Sequence, residues 1–319
     1  MIPGQVGTPL RWTRSGLSQV ARVVRWTGIA DRTLFDYLQM IGVPVVLLLA
    51  GTFVSQAVNA ASDRQAAEQA QENRLKDYLS QMTTLVLDRK LLGVAESTPV
   101  DSRVVREVAR AQTITALNGM DGPRKRFVVT FLYEQGLING LDALVSLATA
   151  DLSVAELSGA ELFGANLERA MLAGANFRRS RLTFARLNGA DLQRSDLRQA
   201  LLVDAKLNKT DLRLADLEDA ELANASLFDA DLRGASLRGA SFAGANLVSA
   251  DLRGADLTRA DLTRANLRDA LLNPDATVEE SATAVTILTD AIWLGTTCPD
   301  GTNSDAHAST CVGHMQPAP

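Results

Sequence analysis

Chemistry-bearing side chains are scarce in this chain. Its 319 residues include two histidines and two cysteines, and all four fall in one C-terminal window: Cys298, His307, Cys311 and His314. No Ser/His/Asp or Cys/His constellation can be assembled from that supply, and neither a glycine-rich phosphate loop nor an HExxH pattern occurs. No catalytic residue, cofactor or metal is therefore expected. Aromatic residues make up only 5% of the chain, which suits a narrow core of small and aliphatic side chains. A positive excess is missing as well. The net charge of −5 is too acidic for general nucleic-acid affinity, so no nucleic-acid partner is expected.

Leucine, by contrast, is placed with unbroken regularity. From Leu152 to Leu272 a large apolar residue recurs at every fifth position, 25 times in one phase, with Phe177 and Phe242 replacing Leu. Two residues before each stands a small one, Ala in 22 cases and Ser180, Ser195 and Thr210 in the others. A period of five fits neither a helix at 3.6 nor a strand at 2, so the segment reads as a repeat architecture. Each pentad turns two side chains inward and three outward. Four pentads close a square turn of twenty residues, and successive turns stack at strand spacing, about 4.8 Å, into a rod of roughly 30 Å. The expected core ladder includes Leu152, Leu172, Leu192, Leu212, Leu232 and Leu252, with Phe177 and Phe242 filling large positions.

Runs such as Ala250-Asp251-Leu252-Arg253-Gly254-Ala255-Asp256-Leu257 resemble the pentapeptide-repeat family. The resemblance implies a mainly β fold, a right-handed quadrilateral β-helix. It covers about 125 of the residues and is far more specific for fold than for function.

Ahead of the repeats, no charged residue occurs between Asp36 and Asp63. About 20 apolar residues span a bilayer as a helix, so residues 38–61 are expected to form a single transmembrane helix in contact with membrane lipid, with Pro44 placed to kink it. The arm before it, 1–37, carries Arg11, Arg14, Arg22, Arg25 and Arg32, and this basic bias puts the N-terminus in the cytoplasm and the repeats outside. A signal peptide cut after Val58-Asn59-Ala60 is the competing reading; an arm of this length favours an uncleaved anchor. Trp12 and Trp26 either rest the arm on the membrane surface or belong to a tail that only sets topology.

Residues 62–140 read as a helical connector. Asp63 to Arg74 has no large apolar residue and reads as a polar stalk. Three helices should follow: one from Leu75 through Tyr78, Leu79 and Met82; one from about Asp101 to Asn118 with Val104, Val105, Val108, Ala111 and Leu117 apolar; one from about Pro123 to Gln135 with Phe127, Val128, Phe131 and Leu132 on one face. Arg124-Lys125-Arg126 reads as a solvated helix start. Leu75-Lys76-Asp77-Tyr78-Leu79-Ser80-Gln81-Met82, Arg110-Ala111-Gln112-Thr113 and Phe131-Leu132-Tyr133-Glu134-Gln135-Gly136-Leu137-Ile138 resemble the membrane-anchored subgroup of the family.

The repeat domain is expected at 141–272, with Leu141 to Leu147 capping its first coil, and 273–319 as a C-terminal cap and tail in which Val278 to Trp293 covers the last coil. In the tail, a disulfide between Cys298 and Cys311 competes with a zinc site formed by both cysteines and both histidines, and with free thiols. The zinc spacing matches no common finger. Trp293 to Asp305 resembles a tail seen on exported bacterial proteins, which implies the disulfide. Asp300, Asn303 and Asp305 read as a polar turn rather than a calcium loop.

The favoured function is a non-enzymatic, membrane-anchored rigid scaffold on the extracytoplasmic side of the cell membrane. It would dock an unidentified protein or envelope polymer on its rod, with homo-oligomerisation also open. Arg233, Arg238, Arg253, Arg259, Arg264 and Arg268 are the exposed candidates for contact. The alternative comes from the family resemblance: a cytoplasmic DNA mimic that binds type II topoisomerases. The repeats from 151 to 272 carry 18 acidic and 16 basic residues, a net of −2, which is far from the charge density of a duplex.

Overall fold

The computed structural model describes residues 43–87, 102–140, 143–273, 286–307 and 310–314. The basic arm with Trp12 and Trp26, residues 38–42 of the expected span, Asp101, Leu141 and Val278 lie outside them. The chain divides into two units, Met1–Gln69 and Ala70–Pro319.

Helix α1, Val43–Leu87, is continuous for 45 residues. Asp63 to Arg74 is therefore helix and not a separate stalk. Its Ala, Gln, Glu and Arg residues are strong helix formers, and propensity carries the segment where it has no apolar face. Among the described residues no helix is long and apolar enough to cross a membrane.

In the second unit α2, Ser102–Leu117, and α3, Gly122–Glu134, pack with the last turns of α1. Tyr78 and Met82 of α1 are buried in one core cluster with Val105, Ala109 and Leu117 of α2, and Tyr78 Oη meets Thr113 Oγ1 at 3.1 Å. Thr113 in turn donates to Ala109 O, so neither hydroxyl is stranded in the core. The apolar face of α2 is rotated from expectation. Val104 and Val108 are exposed at 57% and 42%, while Val105 and Ala109 are buried. On α3, Phe127 is likewise exposed, and Val128, Val129 and Leu132 face the core. Asp121 caps α3 by accepting from Arg124 N at 3.0 Å, and Gly119 closes the preceding turn at φ 77°.

The repeats form a coil with four pentads per turn. Residues preceding the large position bridge in parallel to residues twenty further on: Asp151 to Met171, Asp191 to Asp211, Asp231 to Asp251. The contacts are single bridges and not extended strands, because each pentad bends after two extended residues. The bend is a β-turn whose closing bond runs from the small residue to the large one before it, as in Ala215 N to Leu212 O at 3.1 Å. Its second central residue has positive φ, as a type II turn requires. Asp219, Asn224 and Asp229 tolerate this well, whereas Leu214 and β-branched Val154 adopt it against their preference, at about 1 kcal/mol or more each.

The large and small residues are packed away together. Leu152, Leu172, Leu192, Leu212, Leu232, Leu252, Phe177 and Phe242 are each no more than 1% exposed. Of the three residues replacing Ala, Ser195 and Thr210 donate to Leu192 O and Leu187 O, but Ser180 Oγ has no partner.

Both ends of the coil differ from a simple cap. Leu147 and Thr149 already follow the pentad geometry, with Thr149 at φ 66° and its N–H on Glu168 O. Beyond Asn273 the coil resumes: Asp256, Asp261 and Asn266 bridge to Ile287, Ile292 and Thr297, 31 residues on instead of 20. Leu288, Trp293 and Cys298 occupy the large column in this last coil. Thr286 and Thr296 take the small position and donate to Leu252 O and Leu262 O.

Candidate interaction surface

The outward positions of the pentad are the residue before the large one and the two after it. On one face, Asp211, Asp231 and Asp251 stack in a column, with Arg213, Arg233 and Arg253 beside them. Each Asp Oδ1 accepts the backbone N–H two residues on, at 3.2 Å, and so opens the turn. The guanidinium grips both oxygens, Nε on Oδ1 and Nη2 on Oδ2, the latter at 2.7 Å for Arg213 on Asp211 and at 2.6 Å for Arg233 on Asp231 and Arg253 on Asp251. Arg213 and Arg233 also approach the carboxylate one coil further on, at 3.6 Å. The result is an alternating ladder of charge. The neighbouring face repeats the motif where Arg198 meets Asp196 at 2.5 Å and Asp216 at 3.4 Å, and where Arg238 meets Asp256 at 2.9 Å.

Asp231 is partly buried, which pushes its pKa upward, but the hydrogen bonds and charges of Arg233 and Arg213 outweigh burial and hold it below the ordinary carboxylate value. For Asp196 the Arg198 hydrogen bond dominates and acts the same way. The guanidinium of Arg233 is pushed up in return, chiefly by its bond to Asp231. An exposed pair contributes little singly, about 0.2–1 kcal/mol, so the ladder fixes side-chain positions more than it stabilises the coil.

Three of the arginines picked out as contact candidates, Arg233, Arg238 and Arg253, are thus engaged within the rod. Arg268 lies 3.7 Å from Asp269, while Arg259 and Arg264 show no ion pair among the described residues. Other arginines of the rod are also answered locally: Arg181 by Glu161, Arg186 by Glu168, Arg179 by Gln199.

At the base of the rod, Lys125 is only 3% exposed. It bonds Asp151 Oδ1 at 3.1 Å and Ser153 O at 3.0 Å, while Arg124 pairs with the capping Asp121. Within the triplet Lys125 is therefore a tie to the first coil, whereas Arg126 is exposed as a solvated helix start would have it. No pattern in the sequence marks the tie.

At the far end, Cys298 and Cys311 are bonded to each other and both fully buried. With both sulfurs so engaged, the zinc alternative loses two of its four ligands. Among the described residues no group of acidic, histidine or cysteine side chains is placed to hold a metal. Asp300, Asn303 and Asp305 spend their oxygens on Thr302 N, Asp305 N and Gly295 N. Asp300 also meets His314 Nδ1 at 2.8 Å, and its pKa is lowered to about 2, first by the Thr302 hydroxyl.

The profile described as Pentapeptide repeats matches this chain in 8 copies, over residues 160–199, 195–234 and 235–273. No curated protein matches it. Among solved structures, HetL, a pentapeptide repeat protein involved in heterocyst differentiation regulation from Nostoc sp. strain PCC 7120, is 31% identical over 50% of this chain and 86% of its own, with a TM-score of 0.29. A second pentapeptide repeat protein from Nostoc PCC 7120 is 44% identical over 27% of this chain and 69% of its own, with a TM-score of 0.26. QnrB1, a plasmid-mediated fluoroquinolone resistance protein, is 16% identical over 44% of this chain and 82% of its own, with a TM-score of 0.28.

Proposed function

Since the chain belongs to the pentapeptide-repeat family, we propose that it is a non-enzymatic interaction scaffold of the membrane-anchored subgroup, held by residues 38–61 and presenting its rod to a protein or polymer on the extracytoplasmic side. The observation that carries the scaffold reading is the ladder itself. Charged side chains are fixed at coil spacing over an interior filled by leucine and alanine, so the rod's chemistry lies on its outside. Its family is generally one of structural and interaction proteins. The anchor rests on the charge-free stretch between Asp36 and Asp63, and the sidedness on the basic arm before it. The buried Cys298–Cys311 disulfide supports export, since such bonds persist in oxidising compartments.

The topoisomerase-binding alternative would need an acidic face. Here the column of Asp211, Asp231 and Asp251 is matched by an Arg column at 2.6–2.7 Å, so it presents alternating rather than uniform charge.

The test is membrane fractionation combined with thiol labelling. Retention of the full chain in alkali-washed membranes, and labelling of intact cells by a membrane-impermeant maleimide only after reduction, are the expected results. Release by the wash would remove the anchor, and labelling only after lysis would place the rod in the cytoplasm.

A further inference from the structure

Aromatic side chains are rare here, and Phe177 and Phe242 sit in the core. Phe163 and Phe184 do the opposite. They lie on adjacent coils of one face, 45% and 41% exposed, with ring centroids 5.6 Å apart in an edge-to-face pair. Other apolar side chains such as Leu214 and Phe228 are exposed on the rod, but Phe163 and Phe184 are the two rings that meet, and together they make a solvent-facing aromatic surface.

Beside them is a cleft of about 430 Å³, lined by Tyr133, Asn139, Glu161, Phe163, Arg181 and Thr183. Its volume falls in the usual range for bound small molecules, about 300–1,000 Å³. A second hollow of about 230 Å³ shares Tyr133 and Glu161 with it, which makes room for an extended ligand. Within the cleft the polar groups are of mixed kind. Asn139 donates its Nδ2 to Tyr133 O and leaves Oδ1, buried, without a partner. Glu161 and Arg181 approach no closer than 3.5 Å, and Thr183 adds a hydroxyl.

We propose that this cleft binds a neutral oligosaccharide, with Phe163 as the stacking platform. A carboxylate and a guanidinium paired side by side offer no net charge to attract a charged ligand, but they supply acceptors and donors that suit hydroxyl groups, each of which donates and accepts. The C–H face of a pyranose packs on a phenyl ring, and Thr183 on the cleft wall supplies a hydroxyl that both donates and accepts. A peptide added as a strand is disfavoured at this place. The N–H groups of Leu162 and Gly164 are already spent on Arg181 O and Thr183 O of the next coil. The inference deepens the scaffold reading by giving its polymer a chemistry. It concerns the purified chain only, so the outcome of membrane fractionation neither supports nor removes it.

The experiment is calorimetric titration of the detergent-solubilised full chain with N-acetylchitotetraose, maltotetraose and an extended ten-residue peptide of mixed sequence. Saturable binding of at least one tetrasaccharide, with Kd at or below about 1 mM, is expected. Phe163→Ala should weaken it about tenfold while leaving the melting temperature unchanged, and Phe228→Ala, which removes an exposed ring on a different face, should leave it intact. Failure of both sugars to bind, binding of the peptide alone, or sugar binding indifferent to Phe163→Ala overturns the proposal.

Discussion

Lys125 of α3 and Asp151 of the first coil are joined by a 3.1 Å ion pair whose lysine is only 3% exposed. The helical connector is thereby fastened to the rod through a charge that water does not screen. Breaking a buried pair from one side costs about 3–5 kcal/mol, because the remaining charge is left unanswered. Asp151 stays 27% exposed, so the lower end applies. Lys125→Ala is expected to destabilise the protein by about 3 kcal/mol. Lys125→Met, which keeps the volume, should cost less, and chemical denaturation of the two variants distinguishes charge from packing.

Within the ladder, Asp231 serves two purposes, accepting Arg233 N and pairing with two guanidinium groups. Asp231→Asn keeps the turn-opening acceptor and loses the charge, so it should cost under about 1 kcal/mol. Asp231→Ala loses both and should cost measurably more. Equal costs in thermal melts would mean that the side-chain bond to the turn contributes nothing.

The small column gives a prediction of opposite sign. Ser180 Oγ is buried without a partner, whereas Ala fills most equivalent positions. Ser180→Ala should stabilise the coil by about 1 kcal/mol, while Thr210→Ala, which forfeits the bond to Leu187 O, should destabilise it by a similar amount. Leu212→Ala, in the fully buried large column, should cost about 3–5 kcal/mol. Urea denaturation of the three variants would check the ranking.

Acid should weaken the surface contacts in a defined window. The pKa values of Asp196, Asp231 and Asp256 are held below the ordinary carboxylate value, so their contribution is complete above about pH 4 and is lost as pH falls through the lowered values. Asp300, at about 2, should follow the same course at the far end of the rod. Melting temperatures should be flat from pH 7 to about pH 4 and decline below it. A decline already under way near pH 6 would contradict this assignment.

Reduction of Cys298–Cys311 should be felt at one end only. A loop of this size contributes about 3 kcal/mol in the chain-entropy picture. Hydrogen exchange after reduction should accelerate at Ile287, Ile292 and Thr297 and remain slow at Leu212 and Leu232. Uniform acceleration along the rod would contradict a local role.

The leucine column was legible because one large residue in five leaves a signal that no helix or strand imitates, and every predicted rung from Leu152 to Leu252 is buried. The last coil was hidden by a change of phase. Leu288 lies sixteen residues after Leu272, one past a multiple of five, and Trp293, Cys298, Thr286 and Thr296 replace the familiar Leu and Ala. The burial of Lys125 had no local signature, since it depends on where the first coil places Asp151. The outward turn of Val104 and Val108 was equally invisible, because the face that α2 buries depends on its tertiary partners, among them Tyr78 of α1, which bonds Thr113. The Cys298–Cys311 bond, which the tail's resemblance implied against a zinc alternative, is formed, and it places Cys298 on a core rung.

Asn273 and Thr286 clasp one another: Thr286 N donates to Asn273 O at 2.8 Å, and Asn273 N to Thr286 Oγ1 at 3.1 Å. The last coil is thereby joined to the one before it at a single locked corner. Foreign sequence spliced there, an epitope or a small folded module, would be carried as cargo while the architecture beneath went on uninterrupted.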